Sequence, residues 1–267
     1  MPQAIPYWHV DAFSARPFGG NQAAVMVLDE WLPDDVLVAI GAENLFAETA
    51  FVVRDATGEA DWELRWCTPT YEIALCGHAT LASGHVLLQR DGGERVTFRT
   101  RKSGVLEVVK VGDAYELALP AIATAPDTAA NQAEAIRLLG AEPLEIVRSE
   151  LGYNIYLYDN EAAVRSLAPD IRGLERLGSD QFIVTARGEK TDIVSRVFVP
   201  GGGVDEDSVT GSAHAVLTPY WAEKLGRDSF TAHQASERGG DLTLRLAGDR
   251  AWLGGPCVTV VEGAFYL

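Results

Sequence analysis

Cys76, Gly77 and His78 stand together where an apolar run gives way to helix-forming residues, in ALCGHATLASGH (Ala74–His85). A cysteine two places from a histidine can serve as a nucleophile, a metal-binding pair or a redox thiol. A glycine that opens a helix can serve as an anion site, because the first backbone N–H groups of a helix lack intrahelical partners and lie at the positive end of its dipole. Glycine also lets a ligand come close to that backbone. Gly211 and Ser212 make a second such start in GSAHAVL. Either start could hold a carboxylate or an enolate without a lysine. The plainer reading is two capped helix starts, with Ser212 as a cap.

Acidic residues lie close by in the sequence. Glu48 interrupts the apolar NLFAETAFVV, and Asp205, Glu206 and Asp207 precede the second helix after a glycine-rich lead-in. Burial among apolar neighbours would raise a carboxyl pKa into the range of a general base. The plainer readings are a strand-end acid and a solvated loop. His78 and His85 are seven apart, but a metal site is disfavoured there, since His85 falls inside a buried helix. Ser212 and His214 are neighbours without an implied acid–His–Ser geometry, which disfavours a hydrolase.

The elements that must position these groups occur twice. FVVRDATGEADWELRWCTP from Phe51 is echoed by FIVTARGEKTDIVSRVFVP from Phe182, pairing Phe51 with Phe182, Val53 with Val184, Arg65 with Arg196 and Pro69 with Pro200. KSGVLEVVKVGDAYELALP, ending at Pro120, is echoed by RGGDLTLRLAGDRAWLGGP, ending at Pro256. The two glycine-led helices sit between these blocks in the same order. Alternating runs such as DWELRW and LTLRL read as strands, and VGD and AGD as hairpin turns. The helix after Gly77 is apolar nearly all round and belongs inside, as does its partner after Gly211. Pro219 should kink that second helix or mark its first turns.

The fold expected is α+β: two pseudo-symmetric domains, each a barrel-like, mostly antiparallel sheet around a central helix, with a cleft between them. The boundaries expected are 1–120 for the first domain, 121–132 for an Ala/Thr/Pro linker, and 133–267 for the second. A short helix opens the second at Ala133–Leu139, and its last strand can pair back with the first domain. If the halves face each other, both helix starts point into one cleft.

The 267 residues carry a net charge of −16, which disfavours nucleic acid and anionic membranes as partners. No apolar run reaches membrane-spanning length and no signal sequence opens the chain, so a cytoplasmic location is expected. Cys67, Cys76 and Cys257 are too few and too scattered for a disulfide framework or structural zinc.

Together, DAFSARPFGGNQAAV (Asp11–Val25), ETAFV (Glu48–Val52), CGHATLA (Cys76–Ala82), EDSVTGSAH (Glu206–His214) and QASERGG (Gln234–Gly240) resemble the PhzF-like family of phenazine biosynthesis, related in fold to diaminopimelate epimerase and proline racemase. The resemblance runs along nearly the whole chain. It implies a cofactor-independent, metal-free isomerase acting on a small carboxylate, and a homodimer. It implies that Glu48 moves a proton between carbons, with His78 and Asp207 assisting. Backbone amides at Gly77 and at Gly211-Ser212 would hold substrate. Asn21 would orient substrate or fix its own turn. Cys76 occupies the place of one thiol of the two-thiol epimerases, but Thr210 stands at the other. Cys76 is then a reactive thiol at a helix start or a small filler lining the site. A one-thiol epimerase or racemase using Cys76 and a non-catalytic carboxylate-binding protein are the alternatives. Gln22 and Ser208 replace prolines usual in the family.

Overall fold

The computed structural model describes residues 3–267. The chain forms two units: the described residues up to Leu119 together with Gly254–Leu267, and Pro120–Leu253.

The first unit contains β1 (Ala4–Ala12), β2 (Asn21–Val27), α1 (Asp34–Asn44), β3 (Glu48–Arg54), β4 (Trp62–Cys67), β5 (Glu72–Ile73), α2 (Gly77–Asp91), β6 (Arg95–Thr100), β7 (Val105–Val111) and β8 (Ala114–Pro120). β1 and β2 are antiparallel, β2 and β3 parallel, β3 and β4 antiparallel, and β4 and β6 parallel. The antiparallel ladder β6–β7–β8 completes the run. α2 packs on β1, β2, β3, β6 and β7, so the sheet curls round it. Every residue from Gly77 to Leu88 is buried, as expected for a helix apolar all round. Its hydroxyl side chains turn back on the helix itself: Thr80 donates to the Cys76 carbonyl, and Ser83 to that of Ala79.

The second unit contains β9 (Ala125–Pro126), α3 (Ala133–Leu139), β10 (Glu145–Arg148), β11 (Tyr153–Leu157), α4 (Glu161–Ser166), α5 (Ile171–Glu175), β12 (Gln181–Arg187), β13 (Ile193–Phe198), α6 (Gly211–Leu225), β14 (Ser229–Gln234) and β15 (Gly240–Ala247), and β16 (Arg250–Gly255) leads out of it. Its pairings repeat the same sequence of directions. β10–β11 is antiparallel, β11–β12 parallel, β12–β13 antiparallel, β13–β14 parallel and β14–β15 antiparallel. The hairpin glycines between β7 and β8 and between β15 and β16, Gly112 and Gly248, both have φ +60°, a conformation glycine adopts without strain.

Two expected boundaries need correction. The second unit ends at Leu253, and the last strand pairs back with the first unit, as the sequence reading allowed. The chain re-enters the first unit at Gly254, and β17 (Cys257–Tyr266) lies antiparallel along β1, from Ala4 opposite Tyr266 to Ala12 opposite Cys257. β1 would otherwise offer an unpaired ladder on the side away from β2, and the returning strand closes it. Residues 121–132 are not a free linker. The Ala121 N–H donates to the Asp249 carbonyl, the Asp127 N–H to that of Ile146, and β9 pairs with β10. The Ile122 N–H donates to the Ala215 carbonyl. That acceptor is open because Pro219, four residues further along α6, has no N–H to give. Pro219 therefore lies inside the helix, not in its first turn.

No helix among the described residues is long and apolar enough to cross a membrane.

Two buried histidines predict the acid response. Burial pushes His214 down to about 4, and burial, with Lys110 adding to it, pushes His85 down to about 4. Both are neutral when folded and titrate near 6.5 when unfolded. Between these values the unfolded chain binds more protons, so stability falls as pH drops from about 6.5 towards 4. The expected slope is up to about 1.4 kcal/mol per pH unit for each histidine. Urea unfolding at pH 7, 6 and 5 should show it, and His214→Gln should flatten it. An unchanged slope in that variant would remove His214 as a cause.

Candidate active site

In the first unit the site is built at three element starts. Asn21 opens β2, Glu48 opens β3, and Ala23 lies opposite Glu48 in the parallel ladder between them. Cys76 is the N-cap of α2 in extended backbone, Gly77 its first residue and His78 its second. The Glu48 carboxylate Oε2 lies 3.2 Å from Nε2 of His78. On the other side of the ring, Asn21 Nδ2 lies 3.1 Å from Nδ1. Cys76 Sγ lies 3.6 Å from Nδ1 and 4.0 Å from Nε2.

These distances imply a tautomer. If the Asn21 amide donates to Nδ1, the neutral ring carries its proton on Nε2, the nitrogen that lies beside Glu48. His78 and Asn21 are both 4 % exposed, whereas the Glu48 side chain keeps 15 % of its surface. The carboxylate is thus held from the protein side and open on another. Asn21 thus contacts the far side of the His78 ring, a partner that no local pattern predicts.

The side chain of Cys76 makes no capping hydrogen bond to α2. The amides that follow Cys76 therefore keep the positive end of the helix dipole available to an anion beside Glu48.

In the second unit, Thr210 is the N-cap of α6, Gly211 the first residue and Ser212 the second, so Ser212 is not the cap. Thr210 Oγ1 donates to the Asp207 carboxylate at 2.7 Å. Gln234, fully buried, ties this turn together: Nε2 donates to the Asp207 carbonyl at 2.7 Å, and Oε1 accepts from the Thr210 N–H at 2.8 Å. The three consecutive acids have separate fates. Asp205 is exposed near Arg172, Glu206 is paired with Arg196, and only Asp207 turns to the helix start.

Matching element starts identify counterparts in the two units. Glu48 opens β3 and Gln181 opens β12; His78 and Ser212 are the second residues of their helices; Cys76 and Thr210 are the N-caps. Gln181 Nε2 donates to Ser212 Oγ at 3.3 Å, in the place where Glu48 meets His78. One unit thus carries an acid, an imidazole and a thiol, and the other an amide and two hydroxyls. This also corrects one detail of the repeat. Phe51 is the fourth residue of β3 and Phe182 the second of β12, so they are not equivalent. A shift of two leaves a strand's inward face unchanged, so the apolar pattern could not reveal it.

Two further pairs were missed. Arg65 on β4 grips Glu72 with two hydrogen bonds, at 2.9 and 2.6 Å. Arg196 on β13 grips Glu206 in the same manner, at 2.8 and 2.9 Å. The Arg65 hydrogen bonds hold the Glu72 carboxyl below its usual range. Each pair clamps the loop that enters a central helix. The signal was present: a glutamate stands five residues before Gly77 and five before Gly211.

Glu48, Cys76 and His78 are also a set of metal-type donors, with one atom of each lying within 4.8 Å of the others. The spacing of His78 and His85 is irrelevant to it, since His85 Nε2 is engaged with Thr259 at 2.9 Å.

The phenazine biosynthesis-like family model matches residues 10–263. An uncharacterized isomerase of Pseudomonas aeruginosa is 46% identical over 265 residues, spanning 98% of this chain and 99% of that protein. A crystal structure of a PhzF-family phenazine biosynthesis protein from Enterococcus faecalis is 38% identical, with a TM-score of 0.92, covering 99% of this chain and 100% of that one. A Pseudomonas aeruginosa structure described as a predicted epimerase is 20% identical with a TM-score of 0.71 and shares the fold.

Proposed function

Because the chain belongs to the phenazine biosynthesis-like family, among relatives named as isomerases, we propose that it is an isomerase that moves a proton between carbons of a small carboxylic acid, with Glu48 as the carrier. The observation that carries this reading is the 3.2 Å contact between Glu48 and a histidine whose far nitrogen is held by Asn21, beside an uncapped helix start.

The chemistry follows from those parts. A carbon acid next to a carboxylate is weak, so the anion formed when its proton leaves must be stabilised by donors already in place. The amides opening α2 are such donors for the substrate carboxylate. The Glu48 carboxylate takes the proton from one carbon and returns it to another. His78 Nε2, 3.2 Å from the carboxylate, is the polar neighbour that faces it during the transfer. Asp207, Gly211 and Ser212 are assigned to the same reaction as substrate-positioning groups, Asp207 being oriented by Thr210 and Gln234.

The asymmetry between the units supports a single proton carrier. The counterpart of Glu48 is Gln181, and that of Cys76 is Thr210, neither of which is a base at neutral pH. A two-base racemase needs a group on each side of its substrate. A one-thiol epimerase is the second reading, favoured by the 3.6 Å approach of Cys76 Sγ to the His78 ring.

Deuterium wash-in tests the proposal directly. Incubating the protein in D2O with a panel of small unsaturated and hydroxy carboxylic acids should label one acid at carbon and shift its double bond. Label appearing only with inversion at one centre would support the thiol reading instead. A tight ligand from the panel that acquires no label would make the protein a binder and end the enzymatic reading.

A further inference from the structure

We propose that Glu48, Cys76 and His78 form a zinc site that switches this centre off. The inhibitory part rests on the isomerase reading above, while the metal site itself stands on geometry.

The donors are those zinc takes: a thiolate, an imidazole nitrogen and a carboxylate oxygen. A tetrahedral zinc with bonds of about 2.0–2.3 Å sets its ligand atoms roughly 3.3–3.8 Å apart. His78 Nε2 lies 3.2 Å from Glu48 Oε2 and 4.0 Å from Cys76 Sγ. The three donors fit within 4.8 Å of one another, so each needs to move by less than about 1 Å. They come from the start of β3 and from the N-cap and first turn of α2.

The histidine's outer partner suits a metal as well. A metal-bound imidazole usually donates its other N–H to an oxygen acceptor. Turning the Asn21 amide end for end places its oxygen against Nδ1, 3.1 Å away by the present nitrogen distance. The same side chain therefore serves both states of the ring. Three protein ligands leave a fourth position for water or for a substrate carboxylate. The exposed portion of Glu48 provides the way in.

Binding is a plain ligand exchange. Zn2+ sheds water and gains bonds to Sγ, Nε2 and a Glu48 oxygen. The Cys76 thiol gives its proton to solvent, and the imidazole proton moves from Nε2 to Nδ1 with no change in count. Nothing is oxidised or reduced. Glu48 can no longer take a proton from carbon while its oxygen is bound to the metal. The other two thiols of this unit do not compete, because burial pushes Cys67 up to about 11 and Cys257 up to about 12.

Equilibrium dialysis of the whole chain against Zn2+, and against Co2+ as a coloured substitute, tests this. One metal ion per chain is expected, and the cobalt form should show sulfur-to-metal charge-transfer absorption. Cys76→Ala should abolish that absorption and weaken zinc binding at least tenfold, with His78→Gln as an independent second variant. Carbon-bound deuterium exchange should be lost on adding zinc and restored by a chelator. Zinc uptake equal in the native chain and both variants, or no uptake, would overturn the site. Exchange indifferent to a zinc ion bound at these residues would overturn the switch. Zinc binding by a chain that exchanges no substrate at all would leave the site standing and count against the isomerase reading.

Discussion

Replacing Glu48 by glutamine is expected to cut turnover about 10²–10⁴-fold, the usual worth of a positioned general base, while leaving carboxylate binding close to native. The expectation is sharp because the change is small. Glutamine keeps the size and shape of the side chain that lies 3.2 Å from His78 Nε2, so the ring and Asn21 need not move. The helix-start amides that would hold the substrate are backbone and are untouched. The substitution gives the first unit what the second already has, where Gln181 occupies the equivalent strand start. Single-turnover deuterium exchange, with ligand affinity measured separately, distinguishes loss of the base from loss of binding. Cys76→Ala is the companion measurement and should cost less than tenfold. If Cys76→Ala is the more damaging, the thiol is the proton carrier. If Glu48→Gln turns over normally, the reaction has been assigned to the wrong residue.

Gly20→Ala should destabilise the protein by roughly 2–5 kcal/mol, adding about 1–2 kcal/mol for a left-handed backbone to about 1–3 kcal/mol for overpacking. Gly20 has φ +64°, and a Cβ there would lie 2.1 Å from the Ala12 carbonyl oxygen. That neighbour is backbone of β1 and cannot rotate away. The affected segment also carries strain of its own, since Phe18 has φ 73° and its N–H is held by the buried carboxylate of Asp11 at 2.9 Å. Asn21, the next residue, holds His78, so activity should fall with stability. Gly112→Ala is the control. It has φ +60° but nothing within 4 Å of the added carbon, so it should show the backbone term alone. Urea unfolding of the two variants side by side measures the difference. Equal losses would mean that the contact with Ala12 relaxes freely.

Much of the architecture was determined by local sequence. Strand alternation, the VGD and AGD turns and two glycine-led helices apolar all round each depend on neighbouring residues, and so each could be read directly. The helix at Ala133–Leu139 likewise begins and ends where its sequence indicated. The duplication was legible because its blocks keep their order, and the pairing directions of the two units agree with it. Only the tertiary structure decided the rest. The exact equivalences within β3 and β12 are hidden by a period of two, which lets an apolar pattern slide by a pair of residues without changing its face. That the last strand can pair back was expected, but its register along β1, from Ala4 opposite Tyr266 to Ala12 opposite Cys257, is a hydrogen-bonding solution to an open strand edge that no local pattern encodes. Chemically decisive contacts have the same origin. Asn21 and His78, Arg65 and Glu72, and Gln234 and Thr210 meet because separate elements end at one place. The residue types at the site were visible in the chain, but their hydrogen-bond partners are fixed by packing, which is why the contact between Asn21 and His78 was not legible there.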